Sequence, residues 1–306
     1  MAISSLRKSG WPDYKNDESV SNYIKQITKI LTEHFGIIPD IVKPVMPMDF
    51  RFPLFRVRDL ANFGDMDLLS WHSYPPVQVS KLNRCNFPGY PVFYCASNPM
   101  TAILEVVREG DYSKRKFCLS TWKVRQSKNK FLIQPYLFGD LDKRNPFSVL
   151  KDSISDRLGD SFNNTMSADQ EEGLRLYLRF MADTFLNDKN FSQSSFFAHR
   201  RLYAPHELPT DILIYPSVQT LYKGINMAIH PNFVDTMLLT ERFYIIEIDY
   251  ISENFENMSA KISKYGILQQ RQIKWNQVMP NDKLYKKITQ EDFGQFGEMN
   301  FVKNAT

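Results

Sequence analysis

The chain has 306 residues and a mass of 35.9 kDa, long enough to bury a sizeable core as one large domain with additions or as two small ones. Apolar residues at 43% and charged residues at 24% exclude a disordered, collagenous or coiled-coil chain. The net charge of +4 is too small to argue for a nucleic-acid partner, and no run approaches the roughly 18 apolar residues of a membrane span.

The first predicted element is a helix over residues 18–36, where Val20, Tyr23, Ile24, Ile27, Ile30, Leu31 and Phe35 recur at three- and four-residue steps. Asp17 or Ser19 can cap its start, and Gly36 follows its last turn. The proline-studded stretch from Pro39 to Pro53 then breaks regular structure and marks a boundary near residue 50. Short apolar runs predict strands at Leu54–Val57, Pro91–Ala96 and Phe117–Val124. Between the last two, Asn98 and Pro99 open a helix whose buried stripe is Ala102, Ile103, Val106 and Val107. A longer helix starts at Ser167, with Gln170 completing a capping box, and runs through Phe185. Strands follow at Ile212–Tyr215 and Phe243–Ile248, with Gly224-Ile225-Asn226 read as a turn between them. The tail after Tyr250 is polar and rich in Asn, Gln and Lys, so it reads as a peripheral extension with one strand near Ile273 and Trp275.

Charge is concentrated between Arg108 and Lys130, where eight cations face two carboxylates for a local +6. This is a solvated turn or a docking patch for an acidic partner. Three cysteines without C-x-x-C spacing and an N-terminus without an apolar core point to a cytoplasmic protein in a reducing compartment. Phosphate-loop, dinucleotide-loop, zinc-protease and nucleophile-elbow signatures are all missing, and the five scattered histidines do not form a metal-ligand pattern.

One constellation stands out. Arg84 lies in a Pro/Gly-rich turn, R-x-N-x-P-G-x-P-V-x-Y, that feeds a strand carrying Tyr94. Glu105 follows in the A-x-x-E helix, on or beside its apolar stripe, where a carboxylate without a partner would be costly. Far downstream come Tyr215-Pro216-Ser217-Val218 and Gly224-Ile225-Asn226. Together these pieces resemble the RES-domain family, over roughly residues 50–250. The resemblance implies an α+β, ADP-ribosyltransferase-like fold of mixed, mainly antiparallel sheets flanked by helices. It also implies an organisation of an N-terminal helical extension (1–48), a catalytic domain (49–250) and a C-terminal extension (251–306).

The function implied is that of a bacterial toxin of a toxin–antitoxin pair, an enzyme that cleaves the nicotinamide–ribose bond of NAD as a glycohydrolase or phosphorylase. NAD is then substrate, with no prosthetic group and no metal. By the same resemblance Glu105 is the catalytic carboxylate, Arg84 and Tyr94 are catalytic and ligand-binding, and Arg56, Ser217 and Asn226 complete the NAD pocket. Two arginines suit a diphosphate because each offers a planar fork of donors. The chain departs from many relatives around the turn arginine, with Leu82-Asn83 before it and Cys85 after it, which puts the local shape of the turn in question. The competing expectations are an ADP-ribosyltransferase acting on protein or nucleic acid, and an idle NAD-binding module. A neutralising antitoxin protein is the expected partner, and the oligomeric state is open.

Overall fold

The computed structural model describes residues 3, 4, 6, 10–36, 41–107, 111–139, 141–162, 167–203, 209–254, 257–296 and 299–301. Pro39, with Arg108 and Glu109 of the basic segment and His206 of the five histidines, lies outside these. The helices are α1 (Val20–Phe35), α2 (Pro99–Val107), α3 (Ser148–Phe162), α4 (Ala168–Asn187), α5 (Ser192–Leu202), α6 (Pro231–Met237) and α7 (Lys283–Phe293). The strands are β1 (Lys43–Val45), β2 (Leu54–Asp59), β3 (Phe93–Ala96), β4 (Lys116–Val124), β5 (Phe131–Pro135), β6 (Ile212–Pro216), β7 (Ile225–Ile229), β8 (Leu238–Ile251), β9 (Met258–Gln269), β10 (Gln272–Gln277) and β11 (Met299–Phe301).

They join in one 11-stranded sheet, in the order β1-β5-β6-β7-β3-β2-β4-β8-β9-β10, with β11 also on β9. All neighbours are antiparallel except β5 with β6 and β11 with β9. The result is an α+β fold with flanking helices around a mostly antiparallel open sheet.

Strand periodicity decides where a cleft can form. The register aligns Tyr215, Asn226, Ala96 and Phe55 in one row across β6, β7, β3 and β2. Residues one step away, Ile214, Met227 and Cys95, point to the opposite face and pack with Phe93 and Trp122 in a continuous core. The first face is divided between two cores. On β6 and β7, Leu213, Tyr215 and Ala228 pack under α1, α4 and α5. On β2 and β3, Phe55, Val57 and Ala96 pack under α2 and α7.

Local signals place α1, α2 and α4 as read. Ser167 and Gln170 form the capping box of α4, with Ser167 Oγ accepting from Gln170 N and Gln170 Oε1 accepting from Ser167 N. Helix α1 buries Tyr23, Ile27 and Leu31 at four-residue spacing and ends at Gly36, whose φ of 74° suits glycine. The strand expected near Ile273 and Trp275 is β10, but the polar tail is more than a peripheral extension: β9 and β10 extend the sheet, and Phe293 of α7 stacks on Phe55 at 6.1 Å. Strand β9 was inconspicuous because buried Met258, Ala260 and Ile262 alternate with the polar Ser259 and Lys261. The middle of the basic segment is the strand β4, and three of the segment's cations are paired: Arg115 with Asp59, Lys116 with Glu247 and Lys123 with Glu241. Among the described residues no helix is long and apolar enough to cross a membrane.

His72 shows how burial sets a pH limit on this fold. It is 2% exposed and donates from Nε2 to Met66 O at 2.9 Å, while Nδ1 faces the Cys118 thiol at 3.5 Å. Burial, with added repulsion from Arg58 and Arg56, lowers its pKa to about 4, and burial alone brings His199 to about 4. The unfolded chain therefore binds more protons between about pH 4 and the ordinary histidine value of 6.5. Stability is fully present above that window and falls through it as pH drops, by about 1.4 kcal/mol per pH unit for each histidine. Urea midpoints at pH 7.5 and pH 5 should show this loss, and His72→Gln should reduce it; an unchanged pH dependence in the variant would remove His72 from the account.

Candidate active site

A cleft of about 580 Å³ opens where the two cores of the divided face part. Its floor is the aligned row of sheet residues with Tyr94; α2 forms one wall, and the Asn83-Arg84 turn and the α4–α5 loop form the other.

The α2 wall carries Glu105. Asn98 Oδ1 accepts from Met100 N at 2.8 Å and Pro99 starts the first turn, so the helix begins where the sequence placed it. Glu105 lies one turn beyond the buried Thr101, and this face of α2 approaches the β6–β7 connection at Gly224. A Cβ at Gly224 would overlap Thr101 Oγ1 and come within 2.8 Å of its Cγ2, so close approach requires glycine here. With the elements this near, Ser217 Oγ donates to Glu105 Oε1 at 2.7 Å and Asn226 Nδ2 donates to the same oxygen at 2.6 Å. Two neutral donors thus hold a carboxylate at the cleft wall in one orientation. These bonds give the Glu105 carboxylate the partners that its place beside the apolar stripe requires. Asn226 stands on β7, opposite Tyr215 and Ala96, and not in the turn that Gly224 suggested. The residues Ile225–Ile229 were masked as a strand by their brevity and by the glycine before them.

The opposite wall answers the question about the turn. Asn83 and Asn86 exchange both backbone hydrogen bonds, at 3.0 and 3.1 Å, so Arg84 and Cys85 sit at the tip of a two-residue hairpin. Cys85 is fully buried, its thiol pushed up to about 12 by burial, and serves as the packing residue of the tip. The Arg84 guanidinium donates from Nη1 to Phe185 O at the end of α4 and lies 5.3 Å from the Phe191 ring.

Tyr94 braces this hairpin from the floor. Its hydroxyl accepts from Cys85 N at 2.9 Å and donates to Asn86 Oδ1 at 2.8 Å, while Asn86 Nδ2 donates to Ser80 Oγ, Lys81 O and Phe87 O. Asn86 was visible in the sequence only as part of a turn; its bracing role depends on this network. Tyr94→Phe leaves a buried N–H and a buried amide oxygen without the hydroxyl. A loss of about 1–3 kcal/mol in urea unfolding is expected. The same variant should weaken ligand binding in the cleft more than it slows chemistry, read as a rise in KM with kcat nearly kept.

Arg56, expected in the ligand pocket, borders the cleft and is also tied to the backbone beneath it. Its Nε donates to His72 O at 3.1 Å, Nη1 to Tyr94 O at 2.7 Å and Nη2 to Ser73 O at 3.1 Å. Its guanidinium lies 4.9 Å from the Phe93 ring, on the face of the continuous core, because Arg56 is one step from Phe55 along β2. Burial and the nearby Arg58 bring its pKa down to about 10, still charged at neutral pH. Arg56 borders the cleft, but its hydrogen bonds tie the 72–73 segment to β3.

Of the expected set, the structure brings Glu105, Ser217 and Asn226 into direct contact and sets Arg84 and Tyr94 around the same cleft. The α4–α5 loop, with Asp188, Lys189 and Phe191, was not foreseen, since nothing local in an Asn-Asp-Lys-Asn run marks it as part of a site. Among the described residues no three His, Cys, Asp or Glu side chains gather as a metal would need.

The fold and cleft define an α+β protein with a fixed carboxylate on one wall and an arginine on the other. The RES domain model matches residues 53–240, more than half of the chain, and the protein belongs to that family. No curated protein and no solved structure matches the chain.

Proposed function

We propose that this RES-domain protein consumes NAD, cleaving the bond between nicotinamide and ribose. The observation that carries the reading is the Glu105 carboxylate, held by Ser217 and Asn226 in a cleft whose other wall presents Arg84.

The chemistry asks little of an acid. Nicotinamide leaves a cationic bond as a neutral molecule, taking the electron pair of the C1′–N bond, and the barrier lies in the oxocarbenium character that develops on the ribose. A carboxylate already oriented at the cleft wall stabilises that charge without reorganising, an effect commonly worth about 3 kcal/mol. Water, or inorganic phosphate, then forms the new bond to C1′, with the proton of water passing to solvent. In this reading Glu105 is catalytic, Ser217 and Asn226 position it, Arg84 holds the diphosphate, and the Tyr94 ring borders the nicotinamide. Arg56 supports the floor through β3. NAD is substrate and not a resident cofactor.

An enzyme that depletes NAD harms the cell that makes it. The proposal therefore extends to a toxin acting in the cytoplasm, neutralised by a protein that covers the cleft. Proton NMR of the purified protein with NAD, with and without phosphate, tests the enzymatic core of this reading. Free nicotinamide should appear, and the ribose product distinguishes hydrolysis from phosphorolysis. NAD binding without nicotinamide release would favour a transferase lacking its acceptor or an idle module, and would overturn the reading.

A further inference from the structure

Arg56 borders the cleft as a charged group, but three of its donors are already given to backbone carbonyls, so a phosphate calls for further cations. Two cations border it on the wall opposite Glu105: Arg84 at the tip of its hairpin and Lys189 in the α4–α5 loop. Lys189 is exposed and forms no ion pair or hydrogen bond among the described residues. Its neighbour Asp188 would be the natural competitor for an anion. That carboxylate is instead turned onto the start of α5: Oδ2 accepts from Ser194 N at 2.8 Å and from Ser194 Oγ at 2.9 Å, and Oδ1 accepts from Asn190 N at 3.2 Å.

The loop is held in place independently of any ligand. Phe191 is fixed at φ 58°, a conformation an aromatic residue rarely adopts, and its ring lies against the Arg84 guanidinium. The same loop is joined to the N-terminal segment by Asn190 Nδ2, which donates to Asp13 Oδ2 at 2.8 Å. A lysine on a braced loop, beside an arginine and facing a cleft, is poised for a phosphate oxygen.

We infer that Lys189 is a substrate-binding residue, contacting the diphosphate of the dinucleotide together with Arg84. The inference rests on the proposed NAD reading for its ligand. Lys189 takes no part in bond cleavage, so its contribution is to affinity.

The test uses the full chain and ADP-ribose, which carries the diphosphate but lacks the bond to be cleaved. Isothermal titration of wild type and Lys189→Ala should show affinity about fivefold weaker or more in the variant, with a shallower dependence on salt. Lys189→Arg should restore most of it. In parallel, Lys189→Ala should raise KM for NAD and leave kcat nearly unchanged. Equal ADP-ribose affinity in wild type and Lys189→Ala would overturn the assignment, as would no ADP-ribose binding by folded wild type. If ADP-ribose binding depends on Lys189 while wild type releases no nicotinamide, the cleavage reading fails and the diphosphate site stands.

Discussion

Glu105→Gln should lower nicotinamide release by about 100- to 1000-fold while leaving KM within about threefold of wild type. The substitution retains the shape of the side chain. Its amide oxygen can still accept from Ser217 Oγ and Asn226 Nδ2, which lie 2.7 and 2.6 Å from the present carboxylate oxygen. Only the negative charge is removed, so the fold and the wall of the cleft are kept. Glu105→Ala makes a different demand: it leaves both donors without this acceptor, at a cost of about 1–3 kcal/mol each if water does not replace it. Comparing the two variants separates the charge from the packing. Turnover, monitored as nicotinamide release, and thermal unfolding should be measured on both. A Glu105→Gln protein that turns NAD over at the wild-type rate would remove Glu105 from the chemistry, whatever the alanine variant did.

Gly224→Ala tests the geometry that brings the carboxylate to its donors. The added methyl would overlap Thr101 Oγ1 and stand 2.9 Å from Thr220 Oγ1, which itself accepts from Gly224 N. The backbone there has little freedom to give way, since Gly224 O accepts from Ser217 N at 2.9 Å and from Asn145 Nδ2 at 3.3 Å. Helix α2 must move away from the β6–β7 connection. An overpacked buried contact of this kind costs about 1–3 kcal/mol. A displacement of even an ångström lengthens both bonds to Glu105, and misplacement on that scale costs about 100-fold in rate. The double variant Gly224→Ala with Thr101→Ala removes both clashing atoms of the threonine and should recover most of the stability and turnover. Unchanged kcat/KM in the single variant, or no recovery in the double, would show that the approach of α2 to this turn does not set the position of Glu105.

The two cores on one face of the sheet give these predictions a common frame. Helices α4 and α5 pack on β6 and β7, and α2 and α7 pack on β2 and β3, so the cleft lies between two separately anchored bodies of side chains. Parts of the chain beyond the family match at residues 53–240 support both sides. Tyr14 and Tyr23 pack on Phe87 next to the Arg84 hairpin, at 4.9 and 5.6 Å between ring centroids. On the other side, Arg242 pairs with Asp292 and Glu291 and holds α7 to β8. The termini therefore brace the walls of the cleft.

Much of this protein was already determined by its amino-acid order. Helices α1, α2 and α4 were legible because their caps and apolar stripes are local, acting over three or four residues. So were β2, β3, β4 and β6, whose apolar runs are bounded by turn residues. The identity of Arg84, Tyr94, Glu105, Ser217 and Asn226 as a set was legible only as an ordered pattern resembling a family, because each alone is an ordinary residue in an ordinary place.

The tertiary structure decided the rest, and in each case the reason is that the partner is distant in the chain. Glu105 meets its two donors 112 and 121 residues away, a distance no local spacing encodes. Arg56 could be read only as a cleft arginine until the fold showed that, while bordering the cleft, it lies against Phe93 and gives three of its donors to backbone carbonyls of two other segments. Strand β9 was obscured by its polar outer face and became visible only through pairing with β8 and β10. Local sequence sets which elements form and which face of each is apolar. The assembly of the sheet sets which of those faces meet, and so which polar side chains are left together in the gap.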